Sequence, residues 1–418
     1  MPIKLSLERL ADRLAQAGTV FVPGASAEPV ELTQLLVAQP AYGAGTRFMA
    51  AFVPGMNRAN LASAATQRRM HSFFMPPEYQ ADWRAGLIDF TPTSYFGAHR
   101  LVASAQSGIT TLVVQVAAPD RHGLCSLGAA GELVPSAIRA GVRVLGLINP
   151  RVPAIPHALQ VPFDAFDAVA ESVVPLANYD VGPASAVAEQ IATHLAGLIP
   201  DGASLQLGLG KIPAQLAKAL RPRRRLRLYS GMLSDSFLDL VDAGCLDPDA
   251  PIVVGMIVGS AELYARLSQL PQLRMASVAE THAPEALAAV PALYAINSAL
   301  EVDLLGQVNA EVQGGSYVSG PGGLPDFAAA AHRQADGLSV IALPSSGAGG
   351  KLSRIVASFG AGVPVTVPKH DVDAIVTEYG VALIKNVDLD QRALRIAAIA
   401  HPNHRDTLQE AAKRLFRA

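Results

Sequence analysis

The sequence predicts an α/β protein built from two related open α/β domains, residues 1–181 and 182–418, and three observations carry that prediction. Short apolar runs recur between helical stretches: Phe48–Val53, Thr111–Ala117, Val142–Ile148, Ile252–Met256, Ser339–Leu343 and Val363–Val367. They are continuous rather than alternating, which is the pattern of strands buried on both faces of a parallel sheet. The order helix, strand, Gly, Pro, helix occurs twice, about 184 residues apart, with Gly24 and Pro29 matched by Gly208 and Pro213.

Taken in order, Leu5–Ala17 has a helical pattern, Thr19–Val22 is a strand, and a second helical pattern follows Pro29 through Leu36. Leu101–Pro119 lacks charge but contains Ser104, Gln106, Ser107, Thr110, Thr111 and Gln115, so it is expected to be a buried helix end running into a strand, not a membrane span. Ala177–Pro183 is the linker. Beyond it, Val187–Leu198 is helical and Ser204–Leu207 a strand. Within Leu293–Val308, the strand-like Leu293–Asn297 and Leu300–Leu304 come close together, which suggests antiparallel pairing. Leu324–Ala331 is helical, as is Leu389–Arg417 with a break at His401-Pro402-Asn403.

With 418 residues, 50% hydrophobic and 16% charged, the chain can bury two cores of roughly 200 residues each. A net charge of -2 supplies no broad positive field, so neither nucleic acid nor an anionic membrane is expected as a partner. Met1–Gln16 carries Lys4, Glu8, Arg9, Asp12 and Arg13 among its leucines, which suits an amphipathic surface helix better than an export signal, and a cytoplasmic protein is expected. Cys125 and Cys245 are either free thiols or one bridge. No His/Cys group has metal-ligand spacing, so no metal is expected.

Gly208-Leu209-Gly210 falls where a strand gives way to a helix, so backbone N–H groups there face any negative oxygen placed at the helix start. Ser319-Gly320-Pro321-Gly322-Gly323 is a second Gly-rich turn before a helix. Converging, the two turns would form an oxyanion hole for acyl transfer; taken singly, each is also what tight packing requires. Ser345–Lys351 with Ser353 and Arg354 combines free N–H groups with two cations, which suits phosphate contacts as well as it suits a flexible loop. The run Arg221, Arg223, Arg224, Arg225, Arg227 is expected to be solvated surface.

Over nearly its whole length the chain resembles the acetyl-CoA hydrolase and 4-hydroxybutyrate CoA-transferase branch of the class I CoA-transferases. The resemblance rests on Ala118–Gly123 with Ser126-Leu127-Gly128, Leu205–Pro213, Ile296–Leu304 with Gly306–Asn309, Gly322-Gly323 with Asp326-Phe327, Lys351–Val356, Val376–Ala382 and Ile399–Pro402. It implies two α/β domains of the CoA-transferase type, coenzyme A as substrate, a small carboxylate or acyl-CoA partner and a homodimer. In that family a glutamate in a motif like Ser/Thr-Glu-Met/Val-x-x-Asp attacks the acyl-CoA. Here Ser230, Met232 and Asp235 keep their places, Gly231 stands at the glutamate position, and no Glu lies between Gln190 and Ala261.

The resemblance further implies oxyanion donors at the N–H of Leu209 and of Gly322 or Gly323, with Gly208, Gly210, Lys351, Ser353 and Arg354 at the CoA. A cavity the size of the missing side chain is expected beside Gly231, with a water in it and Glu301 as base. The expected activity is hydrolysis or direct acyl transfer of an acyl-CoA or related thioester. The alternatives are an ordinary CoA-transferase and a non-catalytic CoA- or partner-binding homologue.

Overall fold

The computed structural model describes residues 1–65, 69–139 and 141–415. The chain forms two compact units: Met1–Asp180 with Ile252–Thr281 and Val318–Gly320, and Val181–Pro251 with His282–Tyr317 and Pro321–Ala418. The first change of unit falls inside the Ala177–Pro183 segment. Two later segments cluster with the first unit, which a contiguous second domain over 182–418 does not describe.

In the first unit eight strands run in the order Ile3–Lys4, Ala168–Glu171, Arg143–Ile148, Ile109–Val116, Thr19–Val22, Arg47–Ala50, Met70–Ser72, Ile88–Phe90. Every neighbouring pair is parallel. Thr19–Val22 is buried throughout because helices and loops cover both faces, which is why its sequence shows no alternation. Leu101–Pro119 is a helix, Tyr95–Ala103, followed by the strand Ile109–Val116. At the start of the chain the helix is shorter than its pattern, Leu7–Asp12, with Ser6 as its cap and a two-residue strand ahead of it.

Strand order reverses at Thr19–Val22, and just beyond its carboxyl end Glu28 is 4% exposed. Its carboxylate accepts from Thr33 Oγ1 at 2.6 Å and from Asn57 Nδ2 at 2.7 Å. Burial raises its pKa above the ordinary carboxylate value, against the pull of those two hydrogen bonds. A carboxyl shifted upward contributes stability that is complete below its unfolded pKa and lost as pH rises toward the folded one. Glu28→Gln should therefore flatten the decline of stability above pH 5 relative to the parent protein, as read by urea melts across pH. The amide fits because the Thr33 hydroxyl has a second acceptor, Val30 O at 3.0 Å, leaving its oxygen to receive the new N–H. An unchanged pH slope would refute the assignment.

The second unit holds the strands Arg227–Leu233, Ser204–Leu207, Leu293–Ser298, Leu338–Ala342 and Ala374–Thr377, parallel in that order, closed by the antiparallel strand Gly380–Leu383. Ser204–Leu207 has the place here that Thr19–Val22 has in the first unit, the strand at which the order reverses. Two sequence expectations are corrected. Leu293–Ser298 pairs only in parallel, and Glu301–Asp303 turns back at Gly306 to pair antiparallel with Val308–Asn309. Val363–Val367 is not a strand: Pro364 and Pro368 withhold N–H donors, and only Val367 bridges, to Val308. The C-terminal helices are Leu389–Ala398 and Pro402–Arg414, broken where expected; the helical reading past Leu415 lies outside the described residues.

Among the described residues no helix is long and apolar enough to cross a membrane. Cys125 and Cys245 are free and buried, and burial pushes the Cys125 thiol up to about 11. The arginine run is engaged locally: Arg221 with Asp239, Arg225 with Asp247 and Asp249, Arg227 with Asp247, and Arg223 with the Ala196 carbonyl.

Candidate active site

All residues of the candidate site belong to the second unit. Ser204–Leu207 ends at Gly208, and Gly210 takes φ +113°, a conformation open to glycine but strained for other residues, to start the helix Lys211–Ala219. A cavity of about 340 Å³ lies at this reversal point, lined by Leu209, Gly210, Lys211, Ser185, Ser298 and Pro344 among others. Its position outside the carboxyl ends of parallel strands, at the reversal of strand order, is where open α/β sheets bind ligands.

The neighbouring strand Arg227–Leu233 carries Ser230 and Gly231. Ser230 is fully buried, and its hydroxyl is committed to backbone: it accepts from Leu207 N at 3.3 Å and lies within donating distance of Leu207 O (3.1 Å) and Met232 O (2.8 Å). That role latches the two strands together at the point where Gly231 begins.

The expected cavity beside Gly231 is absent, and the imidazole of His282 fills the space. A Cβ built on Gly231 would stand 2.8 Å from both Cε1 and Nε2 of His282 and 3.4 Å from Phe327 Cε2. A Cβ on Gly323 would stand 2.6 Å from Nε2 and 3.0 Å from Cδ2 of the same ring. The imidazole thus lies between the two glycines, edge-on to Phe327 with ring centroids 5.0 Å apart at 69°, and His282 is 2% exposed. Phe327 is anchored in turn in a cluster with Leu287, Leu293, Ala295 and Ala331. Gly322, at φ +58°, and Gly323 lead into the helix Leu324–Arg333. The ring sets Gly231 and Gly323 on either side of one imidazole, a residue that the sequence did not single out.

Glu301 faces elsewhere. It lines a second cavity, of about 470 Å³, with Asn309, Gln313, Ser353 and Arg354, and neither Gly231 nor Leu209 contributes to that lining. Burial raises its pKa, opposed by a hydrogen bond from Asn309 and reinforced by the charge of Asp303. The loop after Leu338–Ala342 is tied down by Glu378, which accepts from Ser345 N at 2.8 Å and Ser345 Oγ at 2.7 Å. Ser346–Gly347 pairs with Leu352–Ser353 across a tip of left-handed residues, Ala348, Gly349 and Gly350, leaving Lys351 exposed. The tip is held by His404 Nε2, 2.9 Å from the Gly350 carbonyl. Among the described residues no cluster of His, Cys, Asp or Glu is arranged to hold a metal.

A parallel α/β sheet with a cavity and a glycine turn at its reversal point is the arrangement in which open α/β proteins bind small ligands. The C-terminal domain model of acetyl-CoA hydrolase/transferase matches residues 259–412. A succinyl-CoA:cyclohexane-1-carboxylate CoA transferase of Geobacter metallireducens is 32% identical over 79% of this chain and 77% of its own. A 4-hydroxybutyrate coenzyme A transferase of Clostridium kluyveri is 29% identical over 99% of this chain and 97% of its own. The crystal structure of RipA from Yersinia pestis superposes with a TM-score of 0.91 at 28% identity, covering 99% of this chain and 97% of that one. The chain belongs to the acetyl-CoA hydrolase/CoA-transferase family, and it is an enzyme of that family, whose members use coenzyme A as substrate.

Proposed function

We propose that the protein cleaves an acyl-CoA, or a related thioester, without forming a glutamyl-CoA intermediate: water takes the acyl group, or a small acceptor takes it directly. One observation carries this reading. Position 231 offers no carboxylate, and the imidazole beside it leaves no room for one. Water or acceptor would add to the thioester carbonyl, with the developing oxyanion held by N–H groups of Leu209 and of Gly322 or Gly323. The exposed Lys351 is the cation available to the CoA phosphates at its loop. Gly208 and Gly210 let the backbone approach the bound thioester closely.

Two measurements test this. Purified protein given acyl-CoA should release free thiol with no carboxylate acceptor added. Hydroxylamine or borohydride added during turnover should leave every glutamate unmodified by peptide mass spectrometry. A trapped glutamate would restore the ordinary ping-pong transferase. Absence of thiol release across short, branched and aromatic acyl-CoAs would favour a non-catalytic homologue.

A further inference from the structure

We infer that the second cavity of this unit, the one holding Glu301 and Arg354, is a binding site for a small zwitterion of the α-amino acid class, with Arg354 taking its carboxylate and Glu301 its ammonium. The lining shares no residue with the cavity at the Gly-Leu-Gly turn and does not include Lys351. The inference therefore does not rest on the thioester-cleaving reading. At about 470 Å³ the space is within the range of small-molecule sites, about 300–1,000 Å³.

Backbone pairing sets the two charges side by side. Val302 pairs in parallel with Ile355, and Val302 N donates to the Arg354 carbonyl at 2.9 Å. One step back along that ladder Glu301 and Arg354 are neighbours, and side chains opposite each other in a ladder point to the same face. Both line the cavity, and both are partly exposed. Arg354 N donates in turn to Ser345 O at 2.9 Å, and the guanidinium lies against Gly347, where a Cβ would stand 3.7 Å from Nε. Among the described residues neither charge has an ion-pair partner, whereas Arg47 and Asp89 close to 2.9 Å.

Burial raises the pKa of Glu301, against a hydrogen bond from Asn309 and with the help of the Asp303 charge; a cation beside it would reverse that rise. A simple anion would satisfy Arg354 but add a repelling charge next to Glu301. A simple amine would do the reverse. A molecule that carries both charges on one carbon satisfies both groups, and the planar fork of Arg354 suits a carboxylate. Val312 and Val363 add an apolar wall, which favours an aliphatic side chain on the ligand.

The test is calorimetric titration of the full chain, with no acyl-CoA present, using L-valine, 3-methylbutanoate, which lacks the ammonium, and isobutylamine, which lacks the carboxylate. L-valine should bind about 10- to 100-fold more tightly than either, the worth of one charged hydrogen-bonded contact. Glu301→Gln should abolish the difference between L-valine and 3-methylbutanoate, and Arg354→Gln that between L-valine and isobutylamine. A general loss of structure would not sort the ligands in this crossed way. Should either variant fail to fold, the ligand series on the parent protein still decides. Equal affinity for L-valine and 3-methylbutanoate, or no binding of glycine, L-alanine, L-valine or L-leucine, would overturn the inference. So would displacement of bound L-valine by CoA alone, which would return Arg354 to the CoA. None of these results touches thiol release, whose absence would overturn the thioester reading and leave this site standing.

Discussion

Gly231→Glu on its own is expected to destabilise the protein by about 1–3 kcal/mol, the range for overpacking a filled interior, and to create no CoA-transferase activity. The first carbon of the new side chain would stand 2.8 Å from two atoms of the His282 ring, closer than such atoms approach in practice. The ring has little freedom to retreat, since Gly323 closes its other edge and Phe327 its side. Gly231→Glu combined with His282→Ala removes that overlap and exchanges one side chain for another in the same volume. The double variant should regain most of the lost stability and should pass CoA from acetyl-CoA to an added carboxylate, with a glutamyl species trapped at position 231 by hydroxylamine. The comparison is a double-mutant cycle whose coupling term should be strongly favourable, because the two sites share one space. A stable, transferase-active single variant would show that the ring moves aside freely and would remove the steric case.

Asp373→Ala should cost about 1–3 kcal/mol, the range for leaving a buried hydrogen-bonding group unsatisfied. Asp373 is fully buried immediately before the strand Ala374–Thr377. Its Oδ1 is 2.7 Å from His332 Nδ1, its Oδ2 accepts from Ser339 N at 2.9 Å, and Lys385 Nζ lies 3.5 Å from Oδ2. Alanine would leave the buried Ser339 N–H without its acceptor, while Lys385 Nζ, about a quarter exposed, keeps the carbonyls of Gln334 and Gly337. The carboxylate joins the helix Leu324–Arg333, which leads out of Gly323, to two neighbouring strands, so the loss should also loosen the Gly322-Gly323 turn. Urea unfolding measures the first effect, and amide exchange at Leu324–Phe327 the second. Asp373→Asn, which preserves shape and an acceptor, should cost less; equal losses in the two variants would argue against the charge as the cause.

Much of the framework was legible in the chain because parallel strands covered on both faces announce themselves as unbroken apolar runs. Thr19–Val22 is such a run after its first residue, whereas Ser204–Leu207 alternates Ser and Gln with leucines, and the Gly and Pro after each mark the turn into a helix. The Gly-Leu-Gly turn could be read for the same reason: a strand, glycines and a helix are adjacent in sequence. His282 could not. It meets Gly231 and Gly323 only through the fold, and its local sequence, Thr-His-Ala-Pro-Glu, signals nothing beyond a helix start at the proline. The reading of Glu301 as base meets the complementary difficulty. Its phrase follows a strand of the site, but the turn at Gly306 folds the segment onto Val308–Asn309 and delivers the carboxylate to a different cavity. Val363–Val367 misled through composition alone, since two prolines outweigh three valines when a ladder needs donors.

The seating of one imidazole against two glycines also constrains the history of the chain. A histidine arriving at 282 while a glutamate still occupied 231 would have met an occupied space and a destabilised protein. A glycine arriving first at 231 would have left a vacancy that a later histidine could enter without displacing anything. A route from glutamate to this pairing therefore avoids overlap only where glycine arrives at 231 before the ring enters the space. Reconstructed ancestors with glycine at 231 and no histidine at 282 would mark that passage, and those with a glutamate at 231 beside that histidine should be missing from it.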